Sequence, residues 1–228
     1  MQNQFFEDLK NKLNDTKVTN SLGPGQLSPN AITMIHIPNL NNLHNLLIYV
    51  MENNLEGELV ETGVWRGGAV IFMAVFNKFY NLNKKIYACD SYEGLPKNSI
   101  YEEDAIVNGN DKRFDYAVSL DEVKNNFLKY DVLDENVIFV KGFFEDTMKN
   151  INIDKISILR LDGDMYTSTI VVLEELYDKV VPKGVIIIDD YKWDIAGCGN
   201  AVDNFRKSRN ITSKIYFSYG CCVWWIKE

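Results

Sequence analysis

Four aspartates fall in two short runs, Leu161-Asp162-Gly163-Asp164 and Ile188-Asp189-Asp190-Tyr191, each at the end of an apolar, strand-like segment. Clustered carboxylates repel one another and raise each other's pKa unless a cation compensates, and hard oxygen ligands suit a divalent ion of the Mg²⁺ type. Asp162, Asp164, Asp189 and Asp190 are therefore candidate metal ligands, three or four of them converging on one ion. The competing reading is structural: some of these acids cap helices, or pair with Arg160 and Lys192. Histidine supports neither reading, because His36 and His44 have no partner at HxxxH or CxxC spacing.

A second constellation is Glu61-Thr62-Gly63-Val64-Trp65-Arg66-Gly67-Gly68, placed where an apolar strand passes into a helix. Small residues there let backbone N–H groups approach the polar end of a ligand, although many α/β proteins use such glycines only for close strand–helix packing. Asp90 closes the next strand, at about the distance expected of an acid that accepts hydrogen bonds from a ribose. The glycine spacing is not GxGxxG, so a nicotinamide dinucleotide fits less well than a smaller nucleoside-containing cofactor such as S-adenosylmethionine.

These residues need a scaffold that brings strand ends together. ELVET after Gly57, IYACD at 86–90, NVIFVKG at 136–142, ISILRLD at 156–162 and GVIIIDD at 184–190 read as parallel strands. Helical patterns precede or separate them: 40–54, with leucines at helical spacing, the segment after Gly68, 119–130, 168–180 and the stretch around AVDNFRKSRN. Such alternation predicts a doubly wound sheet with right-handed crossovers and functional residues at the strands' carboxyl ends. TSKIYFSY and CCVWWIKE, joined around Gly220, form a candidate antiparallel hairpin. Residues 97–118 interrupt the alternation and are either a lid over the site or a surface insertion.

At 228 residues the chain suits one α/β domain, and a hydrophobic fraction of 46% is that of a globular protein, with disorder expected in the first residues. A formal charge of −8 excludes nucleic acid as a main partner. The start, MQNQFFEDLKNKLND, lacks the order of a secretory signal, and no run approaches the roughly 18 apolar residues of a membrane span, so a cytoplasmic location is expected. Cys89, Cys198, Cys221 and Cys222 form no CxxC pair and read as reduced structural thiols.

Taken in order, ETGVWRGGAV, DSYEGLP, KGFFED, LRLDGDMYTST, VIIIDDY and GCGNAVDNFR resemble the macrocin O-methyltransferase (TylF-like) family over most of residues 33–227. The resemblance implies a Rossmann-like class I methyltransferase: a seven-stranded, mostly parallel sheet with helices on both faces and a C-terminal antiparallel hairpin. It implies S-adenosylmethionine and Mg²⁺ as cofactors and a hydroxyl of a sugar or glycosylated small molecule as acceptor. By motif, Glu61, Gly63, Gly67 and Gly68 would line the amino-acid part of the cofactor, Asp90 and Ser91 would hold its ribose, and Gly142 and Phe143 would lie by the adenine. Asp162 would be ligand and general base, Asp189 and Asp190 the further ligands, with Asp164 the alternative base. Residues 39–228 would be the methyltransferase domain and 1–38 an extension serving as lid or as contact in a homo-oligomer. Thr62 stands where cysteine is common, and Gly199-Asn200 replaces the usual arginine-glutamine, which leaves the acceptor open; Trp193 is a candidate apolar wall there. The rival readings are a metal-dependent catechol-type methyltransferase, a catalytically silent S-adenosylmethionine-binding protein and a nicotinamide-dependent reductase.

Overall fold

The computed structural model of the protein describes residues 2–16, 28–107, 109–112, 115–192 and 197–228. The five apolar runs become β1 (Glu58–Thr62), β2 (Ile86–Asp90), β3 (Val137–Lys141), β4 (Ile156–Leu161) and β5 (Val180–Ile188). With β6 (Tyr216–Phe217) and β7 (Val223–Ile226) they form one sheet in the order β3-β2-β1-β4-β5-β7-β6. β1 to β5 pair in parallel, while β7 runs antiparallel to both β5 and β6, which matches the mostly parallel sheet and C-terminal antiparallel hairpin expected from the resemblance. The strand order reverses between β1 and β4, and a ligand crevice opens at such a switch point.

Alternate residues of a strand face opposite sides, and both sides here are apolar because helices cover both. Leu59, Ile158, Val185 and Ile187 enter one core, whereas Val60, Leu159, Ile186 and Ile188 enter the other. The first core is closed by α1 (Gln2–Asn14), α2 (Ile37–Glu52), α3 (Gly68–Phe79) and α4 (Leu120–Lys129), the second by α5 (Phe144–Thr147), α6 (Tyr166–Leu176) and α7 (Cys198–Ser208). α4 starts where Ser119 accepts the Glu122 N–H at 3.2 Å, an N-cap with acids in the first turn.

Three expectations change. Residues 2–14, where disorder was expected, form α1: Phe6, Leu9 and Leu13, spaced three and four apart, bury one face of it, and Phe6 packs among His44, Phe72 and Phe76. The helix expected over 168–180 is α-helical to Leu176 and tightens into a 3-10 turn over Tyr177–Lys179, and β5 starts at Val180 rather than 184. Pro182 has no N–H for the ladder, and Lys183 adopts φ +67°, which turns its N–H to the Lys227 carbonyl at 2.8 Å. The strand thus carries an irregular stretch that hides its beginning from a sequence pattern.

The segment after β2 is tied down by Asp104. Its carboxylate is buried and accepts the Tyr166 N–H at 2.6 Å and the Thr167 N–H at 3.1 Å, so an acid from the insertion caps α6 in trans. Val107 packs against Met165 beside it.

Candidate active site

The backbone ladders run one step past the strand ends and set the turns of the site. Gly63 N–H bonds to the Cys89 carbonyl (2.9 Å), Asp162 N–H to Thr62 (2.8 Å), Asp189 N–H to Leu161 (3.0 Å) and Gly142 N–H to Asp90 (3.0 Å). Above these ends lies a cavity of about 380 Å³. Gly63, Asp90, Ser91 and Phe143 of the expected cofactor residues line it, together with Asp162, Asp189 and Asp190. Glu61, Gly67, Gly68 and Gly142 are not among its lining residues.

Each of the four has a visible place. Gly68 opens α3, and a Cβ there would come within 2.4 Å of the Thr33 Cβ, so its small size serves the approach of the N-terminal segment. Gly67 closes the turn through an N–H to the Val64 carbonyl at 2.8 Å, and Gly142 joins β3 to β2. Glu61 lies beneath the cavity, only 2% exposed, in contact with the guanidinium of Arg160. Burial raises its carboxyl to about 8 against the pull of that guanidinium.

Asp90 organises the turn as well as facing the cavity. One oxygen accepts the Val64 N–H at 2.6 Å and the Trp65 N–H at 3.3 Å, the other the Tyr92 N–H at 2.7 Å. Burial nevertheless raises its pKa above the ordinary carboxylate value. Gly63 has a φ of +87°, and a Cβ there would fall 1.8 Å from the Asp162 carbonyl oxygen, so the glycine turn and the acidic run touch backbone to backbone.

Asp162, Asp189 and Asp190 each offer an oxygen, and the three atoms lie within 4.8 Å of one another. Arg160 Nη1 donates to Asp162 Oδ2 at 2.7 Å and Nη2 to Asp189 Oδ1 at 2.5 Å. The pairing with Arg160 foreseen as the structural alternative therefore exists alongside the cluster. Lys192 instead sits 4.2 Å over the Phe217 ring. Burial, and then the Asp162 charge, raises Asp189 to about 7; burial and Asp164 raise Asp190 well above the usual value. Asp190 Oδ2 is buried and lacks a hydrogen-bond partner among the described residues. Such a group calls for a cation or a proton.

Several cavity residues escaped the sequence reading. Met34 and His36 come from the chain entering α2, Asn39 from its first turn, and Tyr219, Gly220 and Cys221 from the turn between β6 and β7. The buried Asn39 joins these walls: its Oδ1 accepts the Tyr219 N–H (2.9 Å) and the Ser218 hydroxyl (2.7 Å), and its Nδ2 donates to the Tyr219 carbonyl (3.1 Å). His36 meets Tyr219 edge to face at 5.2 Å. No local signal links residues 180 positions apart. Leu95, Pro96 and Tyr116 bring the 97–118 insertion and its approach to the cavity rim. Gly199 and Asn200 stand in the first turn of α7 and are not among the lining residues, and Trp193 lies outside the described residues. No described helix is long and apolar enough to cross a membrane.

The family described as macrocin O-methyltransferase (TylF) matches residues 4–227. A demethyldecarbamoylnovobiocin O-methyltransferase from Streptomyces niveus is 40% identical over 189 residues, covering 82% of this chain and 72% of the relative. A mycinamicin III 3''-O-methyltransferase from Micromonospora griseorubida is 37% identical over 190 residues, covering 81% and 74%. The solved O-methyltransferase NovP superposes with a TM-score of 0.93 at 33% identity, over 100% of this chain and 99% of that one. The calicheamicin methyltransferase CalS11 shares the fold alone, with a TM-score of 0.67 at 16% identity over 96% and 91%. The chain belongs to the macrocin O-methyltransferase (TylF) family, and it is an O-methyltransferase that draws its methyl group from S-adenosylmethionine.

Proposed function

We propose that the protein methylates a hydroxyl of a sugar or of a glycosylated small molecule, and that Asp162, Asp189 and Asp190 hold a divalent cation of the Mg²⁺ type at the site of transfer. The observation that carries this reading is the convergence of three carboxylates within 4.8 Å on the cavity wall. The donor set fits the ion: all ligands are hard oxygens, and Asp190 Oδ2 is a buried oxygen in need of a partner. The relatives' names, which specify a novobiocin derivative and a mycinamicin, support the acceptor class.

In this reading Gly63, Asp90, Ser91 and Phe143 seat the donor on one side of the cavity, while Glu61, Gly67, Gly68 and Gly142 shape the turns behind it. His36 and Tyr219 wall the acceptor side. The bound cation supplies Lewis acidity, which lowers the pKa of a weakly acidic hydroxyl. Asp162 accepts the hydroxyl proton as the oxygen–carbon bond forms and the sulfur–carbon bond breaks, leaving S-adenosylhomocysteine and a methyl ether. The displacement would need both reactants held in line within the cavity.

Methyl transfer to simple glycosides bearing vicinal hydroxyls, with catechol as comparison and with EDTA or Mg²⁺, tests this reading. Transfer to the glycoside should require the cation and fall by about 10²–10⁴-fold in Asp162→Asn. Turnover indifferent to EDTA would sink the cation reading. Preference for catechol would sink the sugar reading.

A further inference from the structure

Arg160 is only 2% exposed, yet a guanidinium stays charged in any protein, so its burial demands carboxylate partners. It has three. Nη1 contacts Glu61 Oε1 and, at 2.7 Å, Asp162 Oδ2, while Nη2 donates to Asp189 Oδ1 at 2.5 Å. The placement follows from the sheet. Arg160 and Asp162 are two apart on one chain and share a face; Arg160 is in register with Glu61 on β1 and with Ile187 on β5; Asp189 lies two beyond Ile187. One planar fork therefore links acids from three strands. Asp162 and Asp189 each use one oxygen on it and keep the other.

We propose that Arg160 is a positioning residue for the cation site: from beneath, its guanidinium braces Asp162 and Asp189 so that their remaining oxygens converge with Asp190, and Glu61 anchors the guanidinium on the side away from the cavity. This rests on the reading of the three aspartates as cation ligands. A rigid fork sets the spacing of two carboxylates, which a lysine ammonium, a single point of charge, does not. Orienting partners of this kind typically contribute about 10–100-fold to metal affinity. A merely structural ion pair would change stability and leave the affinity of the folded protein untouched.

The test is Mn²⁺ binding to the full chain, by calorimetry and by the electron paramagnetic resonance of bound Mn²⁺, without any turnover measurement. Wild type is compared with Arg160→Lys, with the double variant Arg160→Met/Glu61→Gln, which avoids leaving Glu61 as a buried acid without its partner, and with Glu61→Gln alone. Folding is followed by circular dichroism. Arg160→Lys and the double variant should bind Mn²⁺ about 10–100-fold more weakly than wild type while remaining folded, with an altered resonance line shape. Glu61→Gln, which loosens the anchor and keeps every aspartate, should weaken binding by a smaller factor. Wild-type affinity in the folded Arg160 variants overturns the proposal; if those variants do not fold, wild-type affinity in Glu61→Gln overturns it. No Mn²⁺ binding by wild type overturns the reading of the aspartates as ligands, and the role of Arg160 with it.

Discussion

Gly63 shows how a residue can serve chemistry through packing. In the sequence it belongs to a glycine-rich turn, and glycine there is equally compatible with ligand approach and with close backbone contact. The structure shows the contact: a Cβ would lie 1.8 Å from the Asp162 carbonyl oxygen, at a φ of +87°. Gly63→Ala should therefore cost about 2–5 kcal/mol, from the left-handed backbone and the overpacking together, and should displace Asp162. Urea denaturation checks the stability, and loss of Mg²⁺-dependent transfer in the folded variant checks the displacement. The types and order of the acidic residues were legible in the sequence. Their pairing with Arg160 was foreseen as one alternative, but the contacts of Gly63 with Asp162 and of Arg160 with Glu61 were not, because they exist only through the register of β1 on β4, which no local spacing encodes.

At the scale of elements, the five parallel strands were legible because both faces of the sheet are covered and each strand is a short apolar run bounded by polar residues. The 97–118 insertion was ambiguous for the opposite reason: its contacts with α6 are made by scattered residues, with a buried polar side chain, Asp104, at their centre. Asp104 caps α6 from outside the helix, so no S-x-x-E signature precedes Tyr166. Asp104→Ala should leave two N–H groups at that helix start without their acceptor and cost about 0.5–2 kcal/mol. The insertion, released from α6, should become the first site of cleavage in limited proteolysis; an unchanged digestion pattern would show that its other contacts, Val107 on Met165 and Tyr101 on Tyr166 among them, suffice to hold it. Since Leu95, Pro96 and Tyr116 belong to the cavity wall, the acceptor KM should rise in the same variant.

For the whole molecule, the acidic cluster makes stability depend jointly on pH and on the cation. Burial raises Asp189 from 3.8 to about 7 and Glu61 from 4.5 to about 8, so in the cation-free protein the folded state holds protons that the unfolded chain has already released. The sign is the reverse of a salt-bridged carboxylate: this contribution is complete below the unfolded pKa values and is lost as pH rises through the folded ones. His44, lowered from 6.5 to about 4 by burial among aromatic rings, acts in the opposite sense below pH 6.5 and is neutral in both states above it. The diagnostic window is therefore about pH 6.5 to 8. In EDTA the Tm should fall across that window, as Asp189 and Glu61 ionise with Arg160 alone to offset the charge of Asp162, Asp189 and Glu61. Mg²⁺ does at high pH what protons do at low pH, so its stabilisation should be smallest near pH 6.5 and largest near pH 8. Thermal melts at fixed ionic strength, with EDTA and with Mg²⁺, read this directly. A Mg²⁺ effect of equal size at both ends would mean that the ion binds away from these groups, and a Tm that stays flat with pH in EDTA would mean that Arg160 already keeps the cluster ionised.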